Sequence, residues 1–291
     1  MKPALKEVRV LGRSGFRKLA YAEWGPSSAA RTVVCVHGVS RTGRDFDPLA
    51  QALAAAGMRV IAPDLPGRGR SDWLASSLHY TDRAYTSALT ALIARLDVEA
   101  IDWIGTSLGG HIGMLMASEA SSPINRLVLN DFGARVSASA LRRIGTYLQK
   151  RWQFDTLAAV EAHLREVHAP FGTLPDAQWR HLAETSAVAA PAGGYHLHYD
   201  PAIGGRFAIP LWLDVVLWPT WDRIECPVLL LRGAQSDLVT RETAEQMRTR
   251  GHVGRNGLMR IAQIDGCGHA PSLAVPDQID LIKNFLLSEP S

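Results

Sequence analysis

The chain of 291 residues carries 31 lysines and arginines against 28 acidic residues, a formal net charge of +3, and 47% of it is hydrophobic. That length buries a full core without disulfide or metal staples, and the mild, dispersed basic excess lacks the dense Lys/Arg stripe of a nucleic-acid-binding surface. No run approaches the ~18 consecutive apolar residues of a membrane span, Met1 to Gly15 holds no apolar stretch of signal-peptide length, and three cysteines without paired spacing (Cys35, Cys226, Cys267) fit a reducing compartment better than a disulfide framework or a zinc site.

In chain order, Glu7 to Leu11 and Lys18 to Trp24 read as two short strands around a turn at Arg13 to Gly15. Thr32 to Val36 is a continuous apolar run ending in His37-Gly38, the pattern of a strand buried on both faces of a parallel sheet. A helix follows over Asp45 to Ala56 with Gly57 as its stop, then a strand at Arg59 to Ala62 and a Gly/Arg/Ser-rich loop from Leu65 to Asp72. Period predicts a helix over Asp82 to Leu96, a strand over Ala100 to Ile104, a helix from Ser107 to about Glu119 and a strand over Arg126 to Asn130. The alternation then stops, and resumes with strands at Pro227 to Arg232 and Met259 to Ile264 and helices at Thr240 to Arg250 and Pro276 to Leu287. Strand–helix alternation of this kind predicts a doubly wound, mostly parallel α/β sheet. Residues 1–133 and 223–291 form the predicted core, and 134–222 a mainly helical cap inserted after the sixth strand.

The inserted segment holds Trp152, Trp179, Trp212, Trp218 and Trp221, five of the eight tryptophans. With Phe154, Phe171 and Phe207 they are candidates for an apolar pocket wall, set against the plainer role of cap core. Arg142, Arg143, Lys150 and Arg151 alternate with Leu141, Ile144, Tyr147 and Leu148 at helical spacing. That is the solvated face of an amphipathic helix, or a surface attracting an anionic substrate or acidic carrier protein.

The strongest chemical signal is Gly105-Thr106-Ser107-Leu108-Gly109-Gly110, between a predicted strand and a predicted helix. This is the G-x-S-x-G context that lifts a serine hydroxyl out of a sharp turn, with glycines where side chains would clash. A serine hydroxyl needs a base, and the base an orienting acid. His269, in Gly266-Cys267-Gly268-His269-Ala270-Pro271 after the last strand, is the candidate base. Asp237, in the frame Gly233-x-x-x-Asp237 after the preceding strand, is the preferred acid. Asp131, which also follows a strand, is its rival. His37-Gly38-Val39 supplies a loop whose Val39 N–H, with that of Leu108, would hold an oxyanion. His37 is then a structural loop histidine, and Ser40 and Arg41 border the pocket.

As a set, His37-Gly38, the Asp64-Leu65-Pro66-Gly67-Arg68-Gly69-Arg70-Ser71 loop, the turn around Ser107, Asp237 and His269 resemble the α/β-hydrolase superfamily over nearly the whole chain outside the cap. Ser107 stands where haloalkane dehalogenases and epoxide hydrolases carry aspartate, and His269 lacks the following tryptophan usual in meta-cleavage C–C hydrolases. The stretch around Cys267 to Pro271 is closer to carboxylesterases. The resemblance implies a serine esterase acting on a small, partly apolar ester, lactone or thioester without a cofactor, while charge, cysteine spacing and the lack of an apolar span lead to the expectation of no metal, nucleic acid or membrane partner and a cytoplasmic location. A C–C bond hydrolase with the same triad and a non-catalytic small-molecule binder are the alternatives; the oligomeric state is not legible.

Overall fold

The computed structural model describes residues 1–13, 15–207 and 212–288; Ser14, in the predicted turn, and residues 208–211 of the insertion lie outside the described residues. Eight strands form one sheet: β1 (Ala4–Gly12), β2 (Gly15–Trp24), β3 (Thr32–Val36), β4 (Arg59–Pro63), β5 (Ile101–Thr106), β6 (Ile124–Asn130), β7 (Val228–Gly233) and β8 (Met259–Ile264). Their spatial order is β1-β2-β4-β3-β5-β6-β7-β8. The first two strands pair antiparallel, β2 meets β4 antiparallel, and the remaining pairs are parallel.

The uninterrupted apolar strands follow from this placement, because successive side chains point to opposite faces and both faces are covered. In β3, Val33 and Cys35 join one core cluster while Val34 and Val36 join the other. In β7, Leu229 and Leu231 enter the first and Val228 and Leu230 the second. Helices α1 (Asp47–Ala55) and α10 (Pro276–Leu287) cover one face through Leu49, Leu53, Ile282 and Phe285. The other face receives Leu89 and Leu92 of α2 (Asp82–Arg95), Ile112 and Met114 of α3 (Leu108–Ala117), and Met247 of α8 (Arg241–Thr249). A short α9 (Gly251–Arg255) follows α8. Thr81 and Thr240 start α2 and α8 by accepting hydrogen bonds from Ala84 N and Thr243 N, satisfying first-turn donors.

Between β6 and β7 the chain leaves the sheet. It forms α4 (Ala138–Leu148), α5 (Leu157–Val167), α6 (Asp176–Ser186) and the single turn α7 (Trp218–Trp221). Short strands add two small sheets that sequence period did not signal: Gln153–Phe154 and Ala187–Ala189 flank Tyr195–Leu197, and Val215–Val216 pairs with Arg135–Val136. Strands of two or three residues are too short to show a period. Among the described residues no helix is long and apolar enough to cross a membrane.

Candidate active site

The end of β5 turns into α3 at Ser107, whose φ of +52° lies in the left-handed region that side chains seldom adopt. The glycines on either side make this turn feasible. A Cβ on Gly105 would stand 2.2 Å from the Gly109 carbonyl oxygen, and one on Gly109 would stand 1.9 Å from that of Val36. The Ser107 N–H donates to Asn130 O at 3.1 Å, tying the turn to the end of β6. Asn130 itself is anchored by its Nδ2, which donates to Thr106 Oγ1 and to Pro271 O.

Three side chains converge beyond the C-terminal ends of β5, β6 and β8. Ser107 Oγ lies 2.9 Å from His269 Nε2, and His269 Nδ1 lies 2.7 Å from Asp131 Oδ2. A carboxylate can only accept, so Nδ1 carries the proton toward Asp131 and Nε2 presents its lone pair to the serine hydroxyl. Asp131 is fully buried and accepts two further hydrogen bonds, from Gly233 N at 3.0 Å and from Ser236 Oγ at 2.6 Å. Its φ of +54° is a left-handed conformation that aspartate tolerates better than most residues.

This arrangement corrects the preferred acid. Asp237 does not meet His269; it is half exposed and bound two-pronged by Arg143 of α4, with Nη2 2.8 Å from both carboxylate oxygens and Nε 3.0 Å from Oδ2. The reason lies in the loop after β7. Ser236 turns inward, donating to Asp131 while its Oγ accepts from Leu238 N and Val239 N, and this closes a tight turn that points the next side chain outward. Arg143, read as part of a solvated helix face, is instead a link between the insertion and the sheet's loop.

The loop after β3 faces the serine. A Cβ on Gly38 would come to 3.8 Å from Ser107 Cβ, and Val39, Ser107 and Leu108 line one cavity. His37 is buried, its Nδ1 2.7 Å from Gly38 O and its Nε2 accepting from Leu65 N at 2.9 Å. Burial and the nearby Arg68 charge push its pKa down to about 3, so the ring is neutral and works as a loop brace. Arg41 borders a smaller neighbouring hollow and is held by Asp45.

The cavity over Ser107 has a volume of about 290 Å³ and is walled chiefly by apolar side chains, among them Phe132, Val136, Leu141, Ile144, Ile203, Leu217 and Leu238. Of the eight cap aromatics considered as wall candidates only Phe207 lines it. Trp179 and Trp221 are buried, the latter donating from Nε1 to Arg250 O, Trp152 sits 4.1 Å from the His163 ring, and Trp212 is exposed. The apolar face of α4, through Leu141 and Ile144, does what the tryptophans were considered for. Sequence reasoning missed Ser236 and Arg68 as site residues; Arg68 stood within the Asp64-to-Ser71 loop, but nothing local placed it on the wall of the cavity that holds Ser107.

Comparisons with known proteins agree with this architecture. The model of the alpha/beta hydrolase family matches residues 33–279. The 3-hydroxybutyrate-oligomer hydrolase of Cupriavidus necator is 42% identical over 294 residues, 97% of each chain. Among solved structures, a protein from Rickettsia typhi superposes with a TM-score of 0.90 at 30% identity over 100% of both chains. An alpha/beta hydrolase from Novosphingobium aromaticivorans gives 0.84 at 31% identity, covering 97% of this chain and 98% of its own.

Proposed function

Since the chain belongs to the α/β-hydrolase family and is a carboxylic ester hydrolase, we propose that it works through an acyl-enzyme on Ser107, cleaving the ester bonds of short hydroxyalkanoate chains such as 3-hydroxybutyrate oligomers. The observation that carries the mechanism is the unbroken relay Ser107–His269–Asp131, at 2.9 and 2.7 Å. The substrate class rests on the full-length similarity to the Cupriavidus necator enzyme. A 290 Å³ cavity sits at the lower edge of the roughly 300–1,000 Å³ range of small-molecule sites, which suits a substrate of few atoms.

In this reading His269 Nε2 takes the Ser107 proton as Oγ attacks the ester carbon, and Asp131 stabilises the imidazolium. The N–H groups of Val39 and Leu108 stabilise the oxyanion, each such donor being worth about 3–4 kcal/mol in the transition state. Leu108 begins α3, so its N–H also adds the positive end of a helix dipole. The leaving hydroxy acid receives the proton from His269. Water, deprotonated by the same ring, then splits the acyl-enzyme and returns the hydrogen to Oγ. Residues 134–222 act as the cap that shapes the acyl pocket, through α4.

The test is hydrolysis of 3-hydroxybutyrate dimer and trimer and of p-nitrophenyl butyrate, wild type beside Ser107→Ala. The expected result is turnover of all three, with losses of roughly 10⁴-fold or more in the variant. Oligomers left intact while p-nitrophenyl butyrate is cleaved would overturn the substrate class. Activity retained by folded Ser107→Ala would overturn the nucleophile.

A further inference from the structure

Arg68 lines the cavity that holds Ser107 and is fully buried. Its surroundings are built to hold it in place. Asp64 accepts hydrogen bonds from Gly43 N and Arg70 N, folding the Asp64-to-Ser71 loop back on itself. Gly67 and Gly69 take positive φ, and a Cβ on either would strike Tyr80 or the Asp64 carboxylate at 2.6 or 2.3 Å. Between them the Arg68 guanidinium is fixed by Nε donating to Val39 O at 2.8 Å and Nη1 donating to Pro66 O and Tyr85 Oη, both at 2.8 Å.

The charge, however, is not balanced. Among the described residues no carboxylate lies within ion-pair distance of Arg68, and Nη2 is buried with no hydrogen-bond partner. The Tyr85 and Tyr80 rings lie 5.0 and 5.8 Å from the guanidinium carbon and offset part of its burial, but a guanidinium taken out of water is normally paired with an anion. The nearby acids are engaged elsewhere: Asp200 accepts from Tyr80 Oη at 2.6 Å, and Asp82, half exposed, sits 3.2 Å from His111. Tyr85 Oη accepts from Arg68, which leaves its own proton to give.

We propose that Arg68, aided by the Tyr85 hydroxyl, binds the free carboxylate of the substrate, so that the enzyme cleaves at the carboxyl end of a hydroxyalkanoate chain and selects free acids over neutral esters. This rests on the ester-hydrolase reading of Ser107 above and adds to it which esters are chosen. Nη2 is closed off from solvent here, so the pairing forms when substrate entry opens the cavity wall at Arg68; Nη2 then supplies the charge-assisted hydrogen bond and the carboxylate the counter-ion. Because Nε of the same guanidinium holds the Val39 carbonyl, the anion is registered against the loop that carries the Val39 N–H. Covalent chemistry is unchanged: the ester C–O bond breaks, the terminal hydroxy acid leaves with the proton from His269, and water completes hydrolysis.

The experiment compares kcat/KM for the 3-hydroxybutyrate dimer as free acid with that for its methyl ester, using p-nitrophenyl butyrate as reference. Wild type is expected to favour the acid at the internal ester by about 10- to 100-fold, the discrimination typical of one buried charge-assisted hydrogen bond. Butyrate should also inhibit p-nitrophenyl butyrate hydrolysis competitively, well below the concentration at which butyramide does. Arg68→Gln should bring the acid-to-ester ratio to near one, and Tyr85→Phe, which keeps the ring and its packing, should lower the ratio severalfold. Equal wild-type rates on acid and methyl ester, or an Arg68→Gln loss shared equally by both, would overturn the inference while leaving the esterase reading standing. Should Arg68→Gln fail to fold, the wild-type ratio, the inhibition pair and Tyr85→Phe decide the matter without it. Failure of wild type on p-nitrophenyl butyrate as well would strike the esterase reading itself.

Discussion

Two aspartates stand at the ends of neighbouring strands, Asp131 after β6 and Asp237 four residues past the end of β7, and they live in opposite surroundings. Asp131 is sealed from solvent with three donors on its carboxylate: an imidazole, a backbone N–H and a hydroxyl. Asp237 is half exposed and shares its charge with an equally exposed arginine. A buried carboxylate is tolerable only when its lone pairs are met, and once met it is held rigidly enough to orient a base. An exposed pair is screened by water and holds little. The difference teaches that what makes an acid part of a relay is the set of donors converging on it, and those come from loops far away in the chain.

The comparison can be broken most decisively at Asp131. Replacing it by asparagine leaves a group that can donate where Nδ1–H needs an acceptor, and favours the wrong tautomer of His269. Asp131→Asn is therefore expected to lower kcat by roughly 10⁴-fold, measured on p-nitrophenyl butyrate, with folding retained by circular dichroism. A variant with near wild-type kcat would return the role to another acid.

The comparison is sharpened at Ser236, which touches Asp131 and not the reacting atoms. As a positioning residue, Ser236→Ala should lower kcat by about 10-fold, or ~1.4 kcal/mol of barrier, while KM changes little. A change confined to KM or to thermal stability would mean that the hydroxyl only closes its own turn, through Leu238 N and Val239 N.

The smallest effect belongs to Asp237. Asp237→Asn removes an exposed ion pair to α4, so it should cost at most ~1 kcal/mol of stability and leave kcat within about threefold. A kcat loss approaching that of Asp131→Asn would overturn the assignment drawn from the geometry.

Much of this was open to a reading of the chain alone. The buried apolar runs, the breaks between them and the helical periods over Asp82 to Leu96 and Thr240 to Arg250 are local patterns, and local patterns set the strands and helices of the sheet. Gly105, Ser107 and Gly109 were legible because the turn forbids side chains at positions set by covalent geometry. His269 was legible from its place after the final strand. The acid was not, since Asp131 and Asp237 both follow strands and both sit in turn-forming loops. Their fates part through contacts that join Asp131 to residues 102, 105 and 138 positions away, and these exist only when β6, β7 and β8 lie side by side. Whether the aromatics of the insertion wall the cavity or pack its own core stayed open for the same reason: a count of tryptophans says how much apolar surface must be buried, not against what. Sequence by itself determined the sheet and the sharp turn that presents Ser107, because each depends on neighbours a few residues away. Tertiary structure alone decided which carboxylate meets the histidine, which face of α4 walls the cavity, and that Arg68 is buried with no carboxylate beside it among the described residues, because each depends on which distant segments exclude water together.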